Sequence, residues 1–326
     1  MNARLFASLA LAAIPVLAQQ TSIRTTVPLV VIPASVTDQN GHPIDGLSAS
    51  DFLVLDDGQP RAVHVNTTEE ALAPVSLVVA IQSSDISSAA LSKIRKVGAV
   101  ISQAVAGENG EAAVITFDNH VNIVRDFTKD PDAISDAFRD FKPADNSGGR
   151  MLDAVEKALE MLRNRPESRR ENILIIGEMR DRSSESKLSD ALIDTQRAGV
   201  TIYGLSYSAY LTPFTAKPGD YTPPNEGDMN LLAIFTESAR LAKKNTLQAL
   251  TTATGGRRLG FETQGKLEND LIALGNEIHN RYILTFSPDE EQRPAFRKLQ
   301  VKIKDRPDVI VRARPGYWAG VPESQR

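Results

Sequence analysis

Two patterns of apolar positions share this chain. From Ile23 to Val65 the apolar runs are short and broken by turn residues. Thr26-Val-Pro-Leu-Val-Val-Ile-Pro33 leads into Ala34-Ser-Val-Thr37, and Asp38-Gln-Asn-Gly41 supplies a turn. Phe52-Leu-Val-Leu55, the Asp56-Asp-Gly58 turn and Arg61-Ala-Val-His-Val65 read as a hairpin. From Val75 onward, apolar strands alternate with segments of helical spacing. Val75–Gln82, Glu111–Phe117, Asn172–Ile176 and Val200–Ser206 read as strands, and Val121–Phe127 as a hairpin partner of the second. Leu91–Val105, Pro131–Phe141, Met151–Arg165, Ser186–Ala198, Leu231–Thr252 and Lys266–Asn280 read as helices, with Gly199 and Gly255-Gly256 as stops. Strands apolar on both faces and separated by helices predict a doubly wound, mostly parallel sheet covered on both sides. Arg258–Phe261 reads as a short edge strand, and Arg281–Phe286, Phe296–Ile303 and Val309–Arg314 return to the β pattern. The two β-rich ends are expected to pair with each other.

The expected organisation is a leader at 1–18, a β unit at 19–70, an α/β domain at 74–262, a connecting helix at 263–280 and a second β unit at 281–326. The leader has Arg4 before an apolar stretch ending Val16-Leu-Ala18, the pattern of a cleaved signal peptide, so the mature protein is expected to be secreted or periplasmic. No later stretch is apolar enough to span a membrane. Cleavage removes one basic residue, which leaves 36 − 41 = −5, and this balance argues against a nucleic-acid partner. The chain has no cysteine, so an exported form relies on its core. Ala209–Asn230, rich in Pro, Gly and Thr, reads as a surface excursion.

Candidate chemistry concentrates at the end of the first α/β strand, Gln82-Ser83-Ser84-Asp85-Ile86-Ser87. Asp-x-Ser-x-Ser at such a place would offer one carboxylate and two hydroxyls to a hard divalent cation. Here an amide replaces the carboxylate, and Ile86 stands at the last hydroxyl position. His42, His64, His120 and His279 show no metal-binding spacing and read as ordinary surface histidines. No Gly-x-Ser-x-Gly elbow is present, so an enzyme is not expected.

Several segments together resemble a von Willebrand factor type A (VWFA) domain, and more narrowly the VWFA-related proteins typical of Acidobacteria. They are Val36–Gly58, Pro74–Ile81, Ala239–Gly256, Arg281–Pro288, Phe296–Lys304 and Arg312–Trp318. The resemblance implies a doubly wound sheet with a metal-ion-dependent adhesion site at its C-terminal edge. Carried onto this chain, the first loop of that site becomes Gln82, Ser84 and Ile86. The second, Ser147-Gly-Gly-Arg150-Met-Leu-Asp-Ala154, puts either Gly149 or Arg150 at a threonine position. The third puts Glu178 at an aspartate position. Only Ser84 is unchanged, although a shifted loop would bring in Asp85. The site is therefore expected to hold no metal or other cofactor. Two readings of Arg150 stand: a guanidinium forked onto Glu178 in place of an ion, or a side chain in water. Ser183 or Ser184 reads as an N-cap of the helix that follows. The expected function is binding of a protein partner. A metal-dependent adhesion protein and a structural role in the cell envelope are the alternatives.

Overall fold

The structure is a computed structural model. It describes residues 29–65, 73–84, 88–166, 168–206, 245–260, 263–288 and 295–319. The leader, Asp85, Ile86, the excursion at 209–230 and the first part of the helix expected at 231–252 lie outside the described residues.

The central sheet has six strands in the order β7-β6-β5-β8-β9-β10. These are β5 (Val75–Gln82), β6 (Glu111–Phe117), β7 (Val121–Thr128), β8 (Arg170–Gly177), β9 (Thr201–Ser206) and β10 (Arg258–Gly260). All neighbours run parallel except β7, which turns back antiparallel on β6. Every residue of β5 and β6 is buried, because helices cover both faces. On one face the core gathers α1 (Ser88–Ile94), α2 (Gly98–Val100), α3 (Pro131–Asp140) and α7 (Gln264–His279). On the other it gathers α4 (Met151–Arg163), α5 (Leu188–Arg197) and α6 (Thr246–Ala253). Gly199 and Gly255 sit at φ 69° and 74°, the left-handed conformation expected where each stops a helix.

One expected helix is broken. The periodicity over Leu91–Val105 predicts a continuous helix, but the chain forms α1, a turn at 95–97, α2, and then a π-helical turn at Ile101–Ala106. Gly98 weakens the helix at the break. A Cβ on Gly275 of α7 would lie 1.9 Å from the Ala104 carbonyl oxygen, so α7 rests directly on the π turn. The turn's apolar residues still face the core, so the periodicity identified the right face while missing the break.

The ends of the chain build a β-sandwich. One sheet runs β13-β1-β11-β4 and the other β14-β12-β2-β3. β1 (Val30–Thr37) pairs antiparallel with β11 (Tyr282–Phe286) and β13 (Ile310–Ala313), and β2 (Phe52–Asp56) pairs with β12 (Ala295–Ile303). The expected return strand Arg61–Val65 is split. β3 (Gln59–Arg61) closes the hairpin on β2, whereas β4 (His64–Val65) crosses to the other sheet beside β11. β14 (Gly316–Ala319), which the apolar pattern did not set apart, pairs with β12. Fully buried Asp56 ties both ends of the chain together. It accepts from Arg61 Nε at 3.2 Å and Arg297 Nε at 2.8 Å.

Arginines join the sandwich to the α/β unit by reaching into helix C-termini, where unpaired carbonyls carry partial negative charge. Arg314 Nη1 donates to the Gln196 carbonyl oxygen at 3.1 Å at the end of α5. Burial lowers the Arg314 pKa to about 10. Arg281 Nη2 donates to the Gly255 carbonyl oxygen at 3.4 Å just beyond α6. Within the α/β unit, Arg170 Nη1 of β8 likewise donates to the carbonyls of Ile278 at 2.8 Å and His279 at 3.2 Å at the end of α7. His279 is not an ordinary surface histidine. Its ring fills the space beside Gly107, where a Cβ would lie 2.8 Å from Cε1. Burial, followed by the charge of Arg170, lowers its pKa.

Candidate functional site at the C-terminal edge of the sheet

In open α/β sheets, ligands sit outside the C-terminal ends of the strands where the strand order reverses. Here that point lies between β5 and β8, beside Gln82 and Glu178. Both side chains are buried, and Ser84 is fully buried. The Gln82 amide oxygen accepts from the Glu178 backbone N–H at 2.9 Å, and its nitrogen donates to Ser84 Oγ at 3.3 Å. A Cβ on Gly177 would lie 2.9 Å from the Gln82 amide oxygen, so glycine there leaves the amide room to cross to β8. Ser84 Oγ donates to the Gly148 carbonyl oxygen, which joins the first loop to the second. Ser83 Oγ donates to Asp118 Oδ2 at 2.9 Å, and Asp118 Oδ1 accepts the His120 N–H at 2.8 Å. The Arg150 N–H donates to the Asp118 carbonyl oxygen at 3.0 Å.

The arginine that meets Glu178 is Arg182. Its Nη2 donates to Glu178 Oε2 at 2.5 Å, and its Nη1 donates to the Ser147 carbonyl oxygen at 3.1 Å. The two side chains are only 15% and 9% exposed, so the pair is largely shielded from water. Arg150, expected either on Glu178 or in water, does neither. Its Nη1 lies 2.9 Å from Glu185 Oε1 and 3.3 Å from Asp153 Oδ2. The physical reason is the direction of the side chains. Arg150 precedes α4 and turns toward the first turn of that helix. Arg182 starts from the third loop, and its backbone is held by an N–H to the Gly149 carbonyl oxygen at 3.0 Å. A Cβ on Gly149 would lie 3.4 Å from Cβ and Cγ of Arg182. Of the two positions considered for the absent threonine, Gly149 faces the Glu178–Arg182 pair, and its missing side chain leaves space for the arginine stem.

The third loop also caps α4. Ser184 Oγ accepts from the N–H groups of Leu152 at 3.0 Å and Asp153 at 3.2 Å, and Asp181 Oδ1 accepts from Leu152 at 3.2 Å. In return, Asp153 Oδ1 accepts from Ser186 N and Oγ at 3.0 and 2.7 Å. The expectation that Ser183 or Ser184 caps the following helix is therefore corrected. That helix has Lys187 at its N-cap position without a side-chain hydrogen bond, while Ser184 serves α4 in space. The structure thus brings Gln82, Ser84 and Glu178 together, turns Arg150 aside and adds Arg182. Asp85 lies outside the described residues. The signal that could have found Arg182 is its spacing of four from Glu178.

No protein-family model matches the chain, and no curated protein matches it. The doubly wound sheet is the one the resemblance implied, and β7 is the hairpin partner expected from the apolar pattern. The α/β unit is a doubly wound, mostly parallel sheet with helices on both faces. Similar solved structures include an aerotolerance-related membrane protein from Bacteroides fragilis, at 14% identity over 63% of this chain and 98% of that one, with a TM-score of 0.44. BatB from Bacteroides thetaiotaomicron is 14% identical over 63% of this chain and 98% of its own, with a TM-score of 0.46. The VWA domain of SpRpn10 is 12% identical over 61% and 94%, with a TM-score of 0.37. Beyond this α/β unit, the chain carries the sandwich formed by its two ends.

Proposed function

We propose that this protein is an exported protein-binding module whose VWFA-type edge works without a metal ion. The observation that carries the reading is the Glu178–Arg182 pair. A hard divalent cation needs several free oxygens and net negative charge. Here the Gln82 oxygen is engaged by the Glu178 N–H, and Ser84 Oγ accepts from the Gln82 amide nitrogen at 3.3 Å. The one carboxylate among Gln82, Ser84 and Glu178 is already neutralised by a guanidinium at 2.5 Å. Two unit charges 4 Å apart interact by about 4 kcal/mol at an effective dielectric constant of about 20, so a doubly charged ion beside Arg182 meets about 8 kcal/mol of repulsion. These residues do not fit the ion.

The arginine takes over what an ion does mechanically. It bridges the third loop, through Glu178, to the second, through Ser147. Charge-assisted hydrogen bonds of this kind are about twice as strong as neutral ones. The loops are thereby held on a rigid scaffold, the usual setting for a recognition surface. Loops 147–150 and 180–186 are the face offered to a partner. Export rests on the leader pattern at 1–18. Among the described residues, no helix is long and apolar enough to cross a membrane.

The test is affinity capture from the native cell envelope with and without a chelator, alongside calorimetry with Mg²⁺, Mn²⁺ and Ca²⁺. Partner retention unchanged by the chelator, with no binding heat, is the expected result. Loss of the partner in chelator, restored by Mg²⁺, would overturn the reading in favour of a metal-dependent adhesion protein.

A further inference from the structure

The partner-binding reading leaves one long edge of the molecule unexplained. β7 is the outermost strand of the central sheet and has eight residues. The other edge strands among the described residues, β10, β13, β4, β14 and β3, have four or fewer. Long exposed edges are a hazard, because their free backbone N–H and C=O groups accept further strands, and proteins usually shorten, cover or charge them. The second half of β7 is guarded in this way. Its register on β6 shifts twice around Val114, and Arg125 and Asp126 are exposed there. The first half is not. Val121, Asn122 and Ile123 pair in regular register with Phe117, Thr116 and Ile115. Phe117 and Ile115 belong to the α4-side core, so Val121 and Ile123 extend that apolar face to the sheet edge. Ile123 is 48% exposed and the neighbouring Val124 38% exposed, and they are two of the five large apolar residues that stand out from the surface among the described residues.

This stretch opens on a groove of about 790 Å³ between β7 and the outer side of α4. Val121, Asn122 and Leu159 form its floor, and Glu156, Glu160 and Glu185 stand along its rim. In all, five carboxylates line it against three cations, a balance of −2. We propose that this groove is a strand-addition site. An extended partner segment pairs its backbone with Val121–Ile123, points one set of alternate side chains, apolar, toward Val121 and Ile123, and carries basic residues for the acidic rim. Backbone pairing supplies affinity in such a mode, and alternate side chains supply selectivity. The rim charges favour a basic segment over an acidic one and speed its arrival.

The proposal rests on the reading of the protein as a binding module, but not on the absence of metal. Cation binding by calorimetry would sink the metal-free edge and leave this groove standing.

The test uses the full mature chain and two synthetic heptapeptides, one alternating valine with lysine and one alternating valine with glutamate. Binding is measured by fluorescence anisotropy, and backbone amide exchange is followed at Val121–Val124. The expected result is at least tenfold tighter binding of the lysine peptide, slower exchange confined to the β7 edge, and at least tenfold loss in Ile123→Lys. An unchanged urea midpoint for Ile123→Lys shows that the variant is folded, and Ile123→Pro supplies a second variant, which removes an outward-facing backbone N–H and leaves the Thr116–Asn122 pairing with β6 in place. Equal affinity for both peptides, or protection elsewhere, would refute the proposal. Sedimentation that finds a dimer dissolved by Ile123→Lys would also refute it and assign the edge to a second copy of the chain.

Discussion

Replacing Arg182 by methionine removes a cation that is 15% exposed while leaving Glu178 9% exposed and without that partner. Breaking a buried ion pair from one side costs about 3–5 kcal/mol, because the remaining charge keeps its desolvation penalty. The residual exposure of both groups favours the lower figure, about 3 kcal/mol. The hydrogen bond to Ser147 is lost in the same change and adds about 1 kcal/mol. Arg150→Met is the matching control, since its nearest partner Glu185 is 81% exposed and surface pairs are worth at most about 1 kcal/mol. Urea unfolding followed by circular dichroism compares the two. The double variant Arg182→Met/Glu178→Gln separates the pair from the rest of the loop. It should lose at least about 1 kcal/mol less than the sum of its single changes. Equal, small losses for Arg182→Met and Arg150→Met, or strict additivity in the double variant, would refute the assignment of Arg182 as the residue that holds the loops together.

Gln82→Leu leaves the buried Glu178 N–H without its acceptor and should cost about 1–3 kcal/mol in the same unfolding assay. Gly149→Thr restores a side chain at 3.4 Å from the Arg182 stem. It should displace the arginine and lower the urea midpoint, although it adds a hydroxyl ligand. The His279 pKa lies below its ordinary value of about 6.5, so the unfolded chain takes up this proton first as pH falls. The contribution of His279 to stability is therefore complete above pH ~6.5 and declines below it. His279→Gln should show a shallower loss between pH 7 and 5.5. Asp56→Ala leaves Arg61 and Arg297 without their shared carboxylate and should cost about 3 kcal/mol, read by thermal unfolding.

The alternation of strands and helices was legible because β5 and β8 are covered on both faces, which demands unbroken apolar runs such as Leu77–Ile81 and Ile173–Ile176. The pairing of the two ends was legible from their shared β pattern and from the need of an inserted domain to bring its ends together. The break within Leu91–Val105 was not, because a turn between two helices need not disturb which residues face the core. The crossing of β4 to the second sheet was hidden for a similar reason, since His64 and Val65 alternate in the same way whichever strand they pair with. At the site, aligning loops by position named Gln82, Ser84 and Glu178, which the fold brings side by side. It could not identify Arg182, which reaches the carboxylate by its direction in space, and it left Arg150 between Glu178 and water, whereas that side chain turns toward Glu185. Ser184 followed the same logic, capping the helix beside it in space rather than the next one in sequence.

The most direct test of the metal-free edge is a crystal structure grown in millimolar Mn²⁺, with anomalous scattering recorded at the manganese edge. The Arg182 guanidinium should lie between Glu178 and the Ser147 carbonyl, with no anomalous peak near Ser84. A manganese peak within coordination distance of Ser84 and Glu178, with Arg182 turned out to solvent, would contradict the account.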